Sequence, residues 1–186
     1  MGHTLVATFS DNIAGMVLNA GLFANNKIPY RQHCDRSAAN RVLPYHATLF
    51  SWDRRQDIFY LPHIDKIEFT PCSVVAEQLG VMIGTGYSYV LFLKLRPAEG
   101  FDALCENISR VTGRPTESFL HITLSVSKDQ ELINAQQKAL AKSLRFPMTL
   151  QINALELYHI WDPVQLVKVL NGSEHEQSED ENHAGS

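Results

Sequence analysis

The chain has 186 residues, of which 45% are hydrophobic, 19% charged and 9% aromatic. That composition excludes a collagen-like, disordered or heptad-dominated protein and suits a single domain able to bury its own core. The net charge is −4, but five acids fall in the last fourteen residues, which hold no Lys or Arg; the remainder carries 16 bases and 15 acids, no footprint for a long nucleic acid but compatible with a small anionic ligand.

From the N-terminus, Thr4–Phe9 (TLVATF) reads as a first strand, and Asn12–Asn25 is apolar at roughly helical spacing, broken by Gly15 and Gly21. Asn26–Val42, polar and interrupted by Pro29, reads as a loop bearing Arg31, Arg36 and Arg41. Tyr45–Trp52 (YHATLFSW) is the next predicted strand, followed by strand pieces at Asp65–Phe69, Val74–Gln78 and Val81–Ile83. Gly84-Thr85-Gly86 is a turn signal before the β-prone Tyr87–Leu95; with no Gly-Lys-Ser/Thr behind it, it is a hairpin turn rather than a phosphate loop. In Phe101–Val111 the apolar residues recur at spacings of three and four, the pattern of an amphipathic helix. A strand at Phe119–Ser127, a helix at Gln130–Leu144 capped by Asp129, and strands at Phe146–His159 and Gln165–Leu170 complete the domain. From Asn171 onward the polar, acidic sequence reads as a disordered tail.

No apolar run approaches the ~18–20 residues of a membrane-spanning helix. The opening MGHTLVATF lacks the basic region of a signal peptide, and Val6 stands where a myristoylation signal has Ser or Thr. Cys34, Cys72 and Cys105 are odd in number and form no C-x-x-C pair, which argues against a zinc ribbon or a dithiol redox site. The expectation is a reduced, cytoplasmic, monomeric protein.

The chemistry is carried by two short motifs, His46-Ala47-Thr48-Leu49 and His121-Ile122-Thr123-Leu124, each in a β-prone run in its own half of the chain. Residues i and i+2 of a strand share a face, so each motif sends one imidazole and one hydroxyl in one direction and apolar residues in the other. Two such strands side by side bring four polar groups to one cleft. Transfer at a phosphodiester uses such a set: a neutral imidazole takes the proton of the attacking oxygen and a protonated one supplies the leaving oxygen. The Thr hydroxyls donate to the non-bridging oxygens, where negative charge must be held. This chemistry needs no metal, and the motifs lack the third ligand and nearby carboxylate of a metal site; neither a metal nor a cofactor is expected.

With YHATLF, FLHITLS and the order of elements around them, the sequence resembles the 2H phosphoesterase superfamily, which includes 2′-5′ RNA ligase and 2′,3′-cyclic phosphodiesterase enzymes and is marked by two His-x-Thr/Ser motifs. The resemblance spans roughly Thr4 to Leu170. It implies one bilobal α+β domain over 1–170, with two antiparallel sheets facing across a central cleft, helices outside, and the tail over 171–186. It also implies catalytic roles for His46, Thr48, His121 and Thr123. The expected activity is hydrolysis of a 2′,3′-cyclic phosphate or a 2′-5′ linkage on a nucleotide or short RNA end. Degradation of a cyclic or 2′-5′-linked oligonucleotide signal and a non-catalytic nucleotide- or RNA-binding module are the alternatives.

Lesser candidates surround these motifs. Tyr158 and Trp161, near the end of a late strand beside His159, are candidates for stacking a nucleobase, with ordinary packing as the competing reading. Tyr87 and Tyr89 read as residues of one strand face, packed in the core. Arg41, Arg54 and Arg55 flank the first motif strand; solvated loop charges are their simpler reading. His33, His63, His175 and His183 have no evident chemical partners in the sequence.

Overall fold

The computed structural model describes residues 2–10, 13–19, 33–35, 40–42, 45–160 and 164–170. In chain order the elements are β1 (Gly2–Phe9), α1 (Ile13–Asn19), β2 (His33–Asp35), β3 (Asn40–Val42) and β4 (His46–Asp53). A helical stretch follows, made of a 3-10 turn (Arg54–Gln56), α2 (Asp57–Tyr60) and a second 3-10 turn (Leu61–Lys66). Then come β5 (Cys72–Ile83), β6 (Tyr89–Pro97), α3 (Phe101–Thr112), β7 (His121–Ser127), α4 (Gln130–Ser143), β8 (Met148–His159) and β9 (Val164–Leu170).

The two long helices form where apolar spacing and end signals agree. In α3, Phe101, Leu104 and Ile108 recur on one face and are buried, and Gly113 closes the helix at φ 68° with its N–H on the Ser109 carbonyl. That left-handed turn is cheap only for glycine. In α4 the Asp129 carboxylate accepts the Leu132 N–H at 3.1 Å, the predicted cap, and Ile133 and Leu140 point inward. Both apolar faces enter one core with Leu49 of β4, Leu93 of β6 and Ile122 and Leu124 of β7.

The strands form a single hydrogen-bonded network in the order β1-β4-β7-β6-β5-β8-β9-β2-β3, with β1 also paired to β8. All pairings are antiparallel except β2 with β9. Two arms are evident. In one, β4, β1, the second half of β8 and β9 lie side by side; in the other, β7, β6, β5 and the first half of β8 do so. The arms share β8, which leaves β5 for β1 at Ile152, and they meet again at one residue pair, Ala47 opposite Ile122. The fold is α+β with two antiparallel arms, as expected. The difference is that the two sheets are continuous rather than separate.

Several elements depart from the sequence reading. The predicted strand pieces Val74–Gln78 and Val81–Ile83 are parts of a single twelve-residue strand, β5, whereas Asp65–Phe69 forms no strand: Asp65 and Lys66 end a 3-10 turn and the residues after them are irregular. The helical stretch 54–66 was not predicted, and the short strands β2 and β3 occupy part of the predicted loop. Tyr87 sits in the turn before β6 at φ 56° and is 90% exposed, so it shares no strand face with Tyr89, which packs against the core. The acidic tail, Trp161 and most of the Arg-bearing segment lie outside the described residues. Among those described, no helix is long and apolar enough to cross a membrane.

Candidate active site

The Ala47–Ile122 bridge fixes the geometry of the two motifs. Ala47 and Ile122 are 2% and 0% exposed and belong to the core shared with the helices. Their neighbours in each strand must then project to the opposite face. On that face this register sets His46 across from Thr123 and Thr48 across from His121, and all four side chains are half-buried. The two imidazoles occupy diagonal corners, and diagonal neighbours in an antiparallel pair lie about 7–8 Å apart. The two hydroxyls take the remaining corners of the same square.

The strands beyond continue the same face. Thr8 of β1 pairs with His46 and Val6 with Thr48; on the other side Phe92 of β6 pairs with Thr123 and Lys94 with His121. Two rows of side chains therefore cross the sheet, one through each motif histidine. β1 and β6 occupy equivalent places, each paired antiparallel to the outer side of one motif strand.

His121 is held from two directions. Its Nδ1 lies 3.1 Å from the Phe119 carbonyl. A carbonyl only accepts, so Nδ1 carries the proton and Nε2 is the nitrogen with a lone pair when the ring is neutral. Its ring also packs against Phe119 (centroids 5.0 Å apart) and edge-on against Phe92 (5.7 Å). Phe92 lies over Gly80 of β5, where a Cβ would stand 2.4 Å from the ring tip. Only glycine leaves that ring its place beneath the site. Phe119 is 44% exposed. It stands two residues before His121 in the sequence, so strand alternation would have found it.

Tyr158 requires a correction. It lies on the same face as the motifs, in register with Thr4, but it is 0% exposed and packed with Val6 and Val164. Its hydroxyl donates to the Glu156 carboxylate. No ring face is open to a base, and the competing packing reading is the right one. Arg54 and Arg55 lie past the far end of β4 from His46, about 25 Å away along an extended strand, and do not reach the motifs. The side chains of His33, Cys34 and Arg41 lie outside the described residues.

A second group of rings sits on the core face at that far end. Trp52, His3 and His159 align across β4, β1 and β8, with His3 stacked on Trp52 and 4.7 Å from the His159 centroid. The Asp57 carboxylate accepts from His3 Nδ1 at 2.8 Å and from Trp52 Nε1 at 2.9 Å. Burial holds the His159 imidazole below its ordinary pKa; the charges of His3, Arg54 and the chain's amino terminus act the same way, and Asp57 opposes them. Elsewhere, burial pushes the Cys72 thiol up to about 11, with neighbouring Cys105 adding to the effect, and burial raises Cys105 as well. Neither thiol is primed for nucleophilic chemistry.

No protein-family model matches the sequence, and no curated protein matches it at a significant level. Solved structures do resemble it. TT0787 of Thermus thermophilus is similar with a TM-score of 0.52 and 17% identity, covering 93% of this chain and 100% of that one. Usb1 of Kluyveromyces marxianus gives 0.51 and 12%, covering 91% of this chain and 97% of the other. Both likenesses extend over more than nine-tenths of this chain, and what they show is a shared α+β fold.

Proposed function

We propose that the protein is a phosphodiesterase that uses His46 and His121 as a general acid–base pair, with Thr48 and Thr123 donating to the non-bridging oxygens of the bound phosphate. The substrate class is a nucleotide or RNA end carrying a 2′,3′-cyclic phosphate or a 2′-5′ linkage. The observation that carries this reading is the Ala47–Ile122 bridge, whose register gathers two imidazoles and two hydroxyls on one face of the sheet.

In a cyclic phosphate the attacking group is water. One imidazole removes its proton as the new P–O bond forms; the other protonates the ribose oxygen as the ring P–O bond breaks. The two His thus exchange protonation states over the reaction, and neither step calls for a metal. The reaction needs one ring neutral and the other charged at the outset, so kcat/KM should be bell-shaped in pH.

The test is turnover of 2′,3′-cyclic nucleotides and 2′-5′-linked dinucleotides in the presence of a chelator. Replacing either His by Ala should cost about 10²–10⁴ in rate. Activity abolished by the chelator but intact in His46→Ala would exclude this mechanism. Tight product binding with no turnover from pH 5 to 8 would instead identify a binding module.

A further inference from the structure

The two arms differ where β1 and β6 flank the motif histidines. On the His46 side the equivalent neighbour is Thr8, 6% exposed and hydrogen-bonded to Asn153 and to the Ala154 carbonyl, so it is closed to solvent. On the His121 side the neighbour is Lys94, directly opposite His121 in the β6–β7 pairing. Directly opposed residues share a face with Cβ atoms about 5 Å apart.

The charged surface extends from there. In β6 the odd-numbered Leu91, Leu93 and Leu95 enter the core, which turns Lys94 and Arg96 to the face of the motifs. Lys94 is in turn opposite Gln78 of β5, itself exposed, so Thr48, His121, Lys94 and Gln78 form one polar row across four strands. Both cations are held by one carboxylate: Glu77 lies 3.6 Å from Lys94 Nζ and 3.1 Å from Arg96 Nε. Two cations against one anion leave a net positive charge beside His121. The exposed Phe119 ring stands on the same side.

We infer that Lys94 and Arg96 form a subsite for a second phosphate, so that the preferred substrate is an oligonucleotide whose chain leaves the scissile phosphate on the His121 side. This rests on the proposed phosphodiesterase reading and narrows it from nucleotides in general to strands of at least two phosphates. The next phosphodiester along the strand meets Lys94 and Arg96, and the intervening base has the Phe119 ring to stack on. Among the described residues the His46 side offers no equivalent pair of cations. Glu77 keeps the two cations apart and in place, and it competes with the phosphate for them.

The test compares equilibrium binding of uridine 3′-phosphate with that of a uridine trinucleotide ending in the same 3′-phosphate. The wild type should bind the trinucleotide about tenfold or more tightly, the effect of ~1.4 kcal/mol, and should lose that gain as salt rises. Lys94→Ala with Arg96→Ala should bring the ratio close to one. Glu77→Gln should raise it, because the competing carboxylate is gone; a purely structural ion cluster predicts no such increase. Lys142→Ala, which removes a charge from the exposed face of α4, is the control and should keep the wild-type ratio. A wild type that gains nothing from the added nucleotides, or a ratio that Lys94→Ala/Arg96→Ala and Glu77→Gln leave unchanged, overturns the subsite. Failure of turnover with the binding ratios as expected would overturn the catalytic reading instead.

Discussion

The hydroxyls of Thr48 and Thr123 are the simplest single-residue test of the site. By the register of the Ala47–Ile122 bridge each lies across the strand pair from the other motif's histidine, and in the proposed reaction each donates to a charged oxygen. Thr→Val keeps the β-branched shape and removes only the donor. A hydrogen bond to a charged group contributes about 1.5–3 kcal/mol, so each Thr→Val variant should lose roughly ten- to a hundredfold in kcat/KM. Thermal stability should stay near wild type, because both positions are half-buried and solvent replaces the lost bond. A variant that lost stability and activity in parallel would mark the hydroxyls as structural. Tyr158 teaches the opposite lesson about residues: an aromatic at the end of a strand looked available in the sequence, and only the three-dimensional neighbours Val6 and Val164 reveal that both its faces are covered.

At the scale of elements, the site depends on how β4 and β7 are pinned. Their one bridge joins Ala47 and Ile122, and the Ile122 side chain is wholly buried among the helix residues of the core. Ile122→Ala should destabilise the fold by about 2–5 kcal/mol, through lost burial and the cavity left behind. It should also lower activity below what the fraction unfolded explains, since the strand that aims His121 loses its anchor. Denaturant unfolding together with kinetics at a temperature where the variant is folded separates the two effects. Much of this scale was legible in the sequence. β4 and β7 are legible as β-prone runs, α3 through apolar residues at spacings of three and four, and α4 through its cap Asp129. β5 was broken into pieces because Gly80 looks like an interruption, whereas it is the position over which Phe92 packs. The helical stretch 54–66 has turns too short to establish a period. The motif residues were legible because i and i+2 on a strand must share a face; Lys94 was not, because its place beside His121 is a matter of register between strands distant in sequence.

For the molecule as a whole, the far end of the sheet carries the clearest dependence on pH. Burial lowers the pKa of His159; His3, Arg54 and the amino terminus act the same way, and Asp57 opposes them. Its folded pKa therefore lies below the unfolded value of about 6.5. Above that value both states are neutral and the residue's contribution is complete. As pH falls, the unfolded chain binds a proton that the native state resists, and stability is lost towards the folded pKa. The wild-type Tm should fall between pH 7.5 and pH 5, and His159→Gln should make that fall shallower. Identical slopes for the two proteins would exclude His159 as the group responsible.

The strand β8 has a consequence for how the molecule holds together. It completes one arm with Met148–Ile152 and the other with Ile152–His159. Neither arm is thus a module that stands by itself: a fragment stopping after β7 would leave β1 and β5 each with an unzipped edge, while the excised piece kept only α4, β8 and β9. Both lobes are fastened by the same twelve residues, and they are made or unmade together.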